Sequence, residues 1–346
     1  MSGDIDVAPH PPPILAVSDV SKRFAVRRNS IKAVRRATAS VVALDGVSLE
    51  LREGEVVGVV GESGSGKTTL AKVIVRLLAP DTGAVRFRDR DIFDLRARDA
   101  TDVARRIQMI YQDPYSSLNP RLTVGFAVGE AARAHGFATH KTVHQTVRGL
   151  LEQVHLSSAV AACYPHELSG GQRQRVAIAR ALAVRPDVLI CDEAVSALDV
   201  SIQAQVLNLI LELHMKLGLA ILFISHQLAV VSQVADRVAV MYLGRIVESG
   251  PVGQVFSRPA HPYTQALLAA QPGAHRRCNT RAEAIAGEIP SPMDIPSGCR
   301  FRNRCWRAEA RCGTTDPPEI AVEGAHSAWC HSPTGVESTE PEAIQA

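Results

Sequence analysis

Gly61-Glu62-Ser63-Gly64-Ser65-Gly66-Lys67-Thr68 lies between the apolar run "EVVGVV" and the helix-forming "TLAKVIVRLL". Its glycines let successive backbone N–H groups curl round an anion, and a helix starting there adds partial positive charge. Lys67 is spaced to reach β- and γ-phosphates, the Thr68 hydroxyl to ligate Mg²⁺, and Thr69 continues the cradle. The chemistry is that of binding a nucleotide's phosphates together with Mg²⁺. Asp192 and Glu193 end the apolar run 188–191. Asp192 suits Mg²⁺ through water, and Glu193 suits polarising an attacking water. Gln112 and His226 close two more apolar runs. Either alone says little. With Lys67 and Glu193 they make a γ-phosphate site, in which Gln112 is a further candidate Mg²⁺ ligand.

A second anion site is spelled a hundred residues later. Ser169-Gly170-Gly171-Gln172 would cap a helix whose first turns hold Arg173 and Arg175. Taken alone it is an ordinary capped helix. One chain cannot easily fold both sites round one nucleotide, but two copies placed head to tail can, each completing the other's site.

Cysteines form a third constellation. Four of seven fall at Cys299, Cys305, Cys312 and Cys330, in a Pro- and Arg-rich segment with little apolar content. Such a segment buries little core, so a metal crosslink would help it fold. Four thiolates can hold zinc or an iron–sulfur cluster. The spacing lacks the short C-x2-C knuckles of zinc ribbons and suits a four-iron cluster better, with zinc or free thiols as alternatives. Cys191 reads as a packed core residue, and Cys278 is unassigned.

The elements that must position these residues follow from hydrophobic pattern. "VVGVV", "DVLIC" and "LAILFIS" are strand-length apolar runs of the kind buried on both faces of a parallel sheet. They alternate with helical stretches, which implies an α/β architecture. Residues 14–53 read as short strands and 124–182 as mostly helical. "VAVMYLGRIVESG" reads as a hairpin with Gly244 at its turn. Beyond about residue 252, Pro, Arg and Cys rise and long apolar runs vanish. Residues 253–331 therefore form a smaller, irregular unit. Residues 1–13 and 332–346 read as disordered, and the Arg-rich stretch 23–36 as a solvated loop.

With 346 residues there is room for about two domains. A net charge of +3 lacks the basic excess of a dedicated nucleic-acid binder. Residues 1–13 lack the basic start and apolar core of a secretory signal. No run reaches the roughly 18–20 apolar residues of a membrane helix. The chain is expected to be soluble and cytoplasmic.

Gly61–Thr68, Gln112, "LSGGQ" (168–172), "LICDE" (189–193), "SALD" (196–199) and His226 resemble, in order and spacing, the motifs of ABC transporter ATPases. The resemblance covers residues 14–252. It implies a P-loop NTPase of the ABC-ATPase fold, with an antiparallel β subdomain, a helical subdomain at about 113–182 and a small C-terminal extension. It also implies that Ser169–Gln172 completes a partner's ATP site, that Asp199 lies at the dimer interface, that His226 contacts the γ-phosphate and that Phe24 stacks on adenine.

"YQDPYSSLNPR" (111–121), "YPHELSGGQRQR" (164–175), "DEAVSALDVSIQAQVLNL" (192–209) and "HPYTQALL" (261–268) further resemble the oligopeptide/dipeptide importer ATPases, of the second-ATPase type. The implied partners are two membrane permeases, a second and paralogous ATPase, and an extracytoplasmic binding protein acting through the permeases; no nucleic acid is implied. The implied place is the cytoplasmic face of the inner membrane. The segment after Gln112 would dock the permease, and the four cysteines would hold a [4Fe-4S] cluster. Nickel chelates, sugars and opines are alternative cargoes; a soluble, non-transport ABC ATPase is the rival reading. Ala194 replaces the Pro that often follows the Glu, and Gln227 the Asp that often follows the His. Neither change removes a γ-phosphate ligand.

Overall fold

The computed structural model describes residues 12–25, 40–113, 118–196, 198–271 and 290–336. Several expectations lie wholly or partly outside them: most of 1–13, 26–36 of the Arg-rich stretch, 114–117 of the docking segment, Ala197, Cys278 and the tail from 337.

The described residues build two sheets. The first is antiparallel, in the order β2-β1-β4-β5, from β1 (Leu15–Ala25), β2 (Ser40–Leu51), β4 (Thr82–Phe87) and β5 (Arg90–Asp91). The second has eight strands. Its parallel part comprises β6 (Ile107–Ile110), β7 (Val188–Asp192), β8 (Ala220–Ser225), β3 (Val56–Val60) and β9 (Arg237–Tyr242), adjacent in that order. β10 (Arg245–Pro251) turns back on β9 through Leu243 and Gly244, as the hairpin pattern predicts.

Every residue of β3, β7 and β8 is buried, which is why these runs carry no polar alternation. The period of two still sorts them. Val57 and Val59, Val188 and Ile190, Leu222 and Ile224 pack with the antiparallel sheet. Val56 and Val60, Leu189 and Cys191, Ile221 and Phe223 face the helices. Helices α1 (Lys67–Ile74) and α2 (Ala97–Arg106) follow the first strands. α3 (Val124–Ala134), α4 (Val143–Gln153) and α5 (Gly170–Leu182) form the helical part, and α6 (Val200–Leu217) and α7 (Leu228–Val234) flank β8. No helix among the described residues is long and apolar enough to cross a membrane.

The C-terminal region prolongs the large sheet. β12 (His326–Trp329) pairs antiparallel with β10, and β11 (Glu319–Glu323) with β12. Sequence pattern misses both strands, because they are four or five residues long and β11 is half exposed throughout. Among the described residues, α8 (Val252–Ser257), α9 (Pro262–Ala269) and two single 3₁₀ turns lie between β10 and them. Glu248, fully buried on β10, ties the region together. It accepts the N–H groups of Ala260 (2.7 Å) and His261 (2.9 Å) and lies 2.7 Å from His326 Nε2. His261 caps α9, its Nδ1 accepting the Tyr263 N–H at 3.0 Å. Burial pushes the His261 pKa down to about 4, against the pull of Glu248. Tyr242, Tyr263 and Phe301 close the junction with ring centroids 4.6–5.4 Å apart.

Candidate functional site

The phosphate loop joins β3 to α1. Gly66 caps α1 at φ 108°, where a side chain would be strained, and an added Cβ would lie 2.4 Å from the Ala43 carbonyl oxygen. Lys67 is buried and turned into the loop. Its ammonium donates to the carbonyls of Gly61 (2.7 Å) and Glu62 (2.8 Å) and lies 3.3 Å from Ser65 Oγ. Burial lowers its pKa, and Glu193, Asp192 and Glu62 oppose that shift. Thr68 Oγ1 donates to Asp192 Oδ1 at 3.2 Å. Asp192 ends β7 with its carboxyl pKa raised, first by burial, while the Thr68 bond pulls the other way. A divalent cation would stabilise the ionised carboxylate of that pair.

Glu193 follows at φ 48°, a left-handed conformation that costs a non-glycine residue about 1–3 kcal/mol. The turn carries its carboxylate between two neighbours. Gln112 Nε2 donates to Oε2 at 3.0 Å, and His226 Nδ1 lies 3.3 Å from Oε1. Three parallel strands thus deliver Gln112, Glu193 and His226 to one point at their carboxyl ends, as α/β sheets do for ligands. A cleft of about 390 Å³ opens there, lined by Lys67, Thr68, Thr69, Gln112 and Glu193 at one end and by Phe24 at the other. Ser63 and Gly64 line it too, with Val41, Val42, Ala43 and Pro292. Phe24 is partly exposed, with the Lys22 ammonium 5.9 Å from its ring centroid.

Ser169, Gly170, Gly171 and Gln172 do not line this cleft. They begin α5 with a reciprocal cap: Ser169 Oγ accepts the Gln172 N–H at 3.3 Å, and Gln172 Oε1 accepts the Ser169 N–H at 3.0 Å. At Gly171 an added Cβ would lie 2.5 Å from Ile202 Cγ2, so glycine lets α5 and α6 approach. Asp199 is exposed at the start of α6. Gln203 in α6 donates from Nε2 to Gln227 Oε1 at 2.9 Å, which links that helix to the residue after His226.

Two contacts were not legible in the sequence. The Glu62 N–H donates to the Tyr263 hydroxyl at 2.9 Å, and the Glu62 carboxylate takes a two-pronged bond from Arg304, at 2.8 and 3.0 Å. These partners lie 201 and 242 residues away in the chain, beyond the reach of any local signal.

Cys299, Cys305, Cys312 and Cys330 line one small cavity of about 20 Å³, beside His261 and His331. That is room for about one water. All four are free thiols. Burial raises the pKa of Cys299 and Cys305 and pushes Cys330 up to about 11. Among the described residues no three His, Cys, Asp or Glu side chains are grouped as one metal ion would need them. The four thiols therefore meet without forming an ion site, and the expectation of a metal centre gains no support from their geometry. Cys191 is fully buried with its thiol pushed up to about 12, as a core residue should be.

Comparison with known proteins places these features. Residues 44–196 match the model of the ABC transporter family, and residues 247–312 match that of the oligopeptide/dipeptide transporter C-terminal region. A peptide import ATP-binding protein of Brucella ovis is 46% identical over 318 residues, 92% of this chain and 97% of the relative. The Bacillus subtilis oligopeptide transport ATP-binding protein AppF is 44% identical over 321 residues, 92% and 97% of the two chains. A dimeric ATP-binding cassette solved in a post-hydrolysis state with ADP and phosphate superposes with TM-score 0.60 at 27% identity, covering 69% of this chain and 98% of that one.

Proposed function

This chain belongs to the ATP-binding subunits of ABC transporters, and we propose that its ATP hydrolysis drives peptide import through a membrane permease. It is an ATPase of the P-loop cassette class. The observation that carries the mechanism is the Glu193 carboxylate held between Gln112 and His226, in the same cleft as Lys67 and Thr68. Lys67 leaves the loop carbonyls for the β- and γ-phosphates. Thr68, Asp192 and Gln112 would hold Mg²⁺, which would supply positive charge for the phosphate oxygens. Glu193 accepts a proton from the attacking water, and His226 orients the γ-phosphate beside it. Phe24 stacks on the base. The loop glycines with Ser63, Ser65 and Thr69 wrap the phosphates, while Glu62, held by Tyr263 and Arg304, shapes the loop.

Ser169–Gln172 stands outside its own cleft, which supports a head-to-tail pair of ATPases in which it and Asp199 complete the partner's site. Closure on ATP and opening after hydrolysis would move the permeases between their two states. The cassette spans residues 14–252, its helical part about 113–182, and the extension 253–331. The relatives named for peptide or oligopeptide transport, and the C-terminal match at 247–312, support a peptide cargo. A paralogous second ATPase, two permeases and an extracytoplasmic binding protein complete the importer, with this chain on the cytoplasmic face of the inner membrane. Gentle solubilisation of membranes holding the tagged chain should recover two polytopic permeases and a second ATPase. Recovery with soluble factors alone would remove transport from the reading.

A second reading concerns the thiols. The spacing of Cys299, Cys305, Cys312 and Cys330, without C-x2-C knuckles, favours a [4Fe-4S] cluster over zinc. Anaerobically purified protein should hold iron and sulfide and absorb at about 400 nm, and Cys305→Ser should lose both. Stoichiometric zinc without iron would reject the cluster.

A further inference from the structure

Arg304 belongs to the C-terminal region, one residue before Cys305, yet its guanidinium reaches the phosphate loop. Its side chain is 5% exposed. The 3₁₀ turn Arg302–Arg304 holds its backbone, with the Arg304 N–H donating to the Phe301 carbonyl at 2.9 Å. The guanidinium lies 5.8 and 5.9 Å from the ring centroids of Tyr242 and Phe301, and Nη1 is 3.4 Å from the Tyr242 hydroxyl. From that shelf Nη1 and Nη2 clasp the two oxygens of Glu62. Tyr263 takes the backbone N–H of the same residue.

We infer that Arg304 is a positioning residue for ATP binding: its fork on Glu62 holds the phosphate loop from outside and neutralises the one carboxylate the loop carries.

Two physical considerations support the assignment. Lys67 ties the loop together by donating to the Gly61 and Glu62 carbonyls. That tie is released when the ammonium turns to phosphate, whereas the Arg304 and Tyr263 contacts come from other elements and persist. Glu62 is also a negative charge beside an anion cradle. Paired with a forked guanidinium its charge is cancelled locally; unpaired, it would repel a triphosphate. The inference rests on ATP binding alone and is independent of the cargo and of any cluster.

The test is MgATP titration of the full-length chain by calorimetry, with steady-state hydrolysis beside it. Arg304→Ala should weaken MgATP binding by about tenfold and raise KM accordingly, with kcat at saturation changed far less. Arg304→Lys keeps the charge but loses the fork, and should fall between the two. Adding Glu62→Gln to Arg304→Ala should recover most of the lost affinity, because the unpaired carboxylate is then gone. A purely structural role predicts otherwise: lower thermal stability, no recovery on adding Glu62→Gln, and kcat and KM impaired together. That pattern, or Arg304→Ala and Arg304→Lys both binding within twofold of the wild type, would overturn the assignment. Failure of the wild-type chain to bind ATP would count against the ATPase itself, not against Arg304 alone.

Discussion

The nucleotide cleft and the cysteine cavity are built on opposite principles. The cleft is wide, about 390 Å³, polar at its phosphate-loop end and apolar round Phe24, and its working groups stand at the ends of buried parallel strands. The cavity is about 20 Å³, and its thiols stand on turns and on the end of a short strand. In the first, regular elements place the chemistry and the loops refine it. In the second, docking of irregular segments places the chemistry: Phe301 against Tyr242 and Tyr263, Glu248 against His261 and His326. A site of the first kind should withstand loss of a ligand and lose only function. A site of the second kind should lose local stability as well.

The largest expected effect separates chemistry from binding inside the cleft. Glu193→Gln should reduce ATP turnover by about 100- to 10,000-fold while ATP stays bound. Unchanged turnover would remove Glu193 from its role. Lys67→Ala should weaken ATP binding by about 100-fold, read by calorimetry, with little change in melting temperature. A large drop in melting temperature would mean that Lys67 chiefly holds the loop through Gly61 and Glu62.

Next comes a stability effect confined to the other region. His261 is neutral when folded, because its Nδ1 accepts the Tyr263 N–H and burial holds its pKa down to about 4 against an ordinary 6.5. The unfolded chain takes up the proton first as pH falls. Stability should therefore drop between pH 6.5 and about 4, by about 3 kcal/mol, and level off below. His261→Gln should flatten that slope in thermal melts across pH. An unchanged slope would remove His261 as its source. The smallest effect should cross between the regions. Cys305→Ser should lower the melting temperature yet weaken MgATP binding by no more than about threefold, carried through Arg304. A loss as large as that of Lys67→Ala would break the contrast between the two sites.

Legibility in the sequence followed the same division. Gly61–Thr68 and the strands of 56–60, 188–192 and 220–225 announce themselves, because a loop between strand and helix and a run buried on both faces are local patterns. Gln112, Glu193 and His226 could be grouped because each ends such a run, and parallel strands bring their ends to one edge. The Arg304–Glu62 clasp and the pairing of β12 with β10 could not be read. Each joins segments far apart, and no local pattern marks which distant segment either one meets. The four cysteines were visible as a set, and they do share a cavity. Their spacing along the chain did not reveal that no three of them are placed to hold one ion.

Reconstitution in sealed vesicles tests the central claim most directly. The chain would be assembled with its permeases and second ATPase, with ATP on its own side and binding protein plus labelled oligopeptide on the other. Uptake that requires ATP and collapses with Glu193→Gln is the predicted result. Equal uptake with Glu193→Gln, or ATP turnover with no movement of peptide, would contradict it.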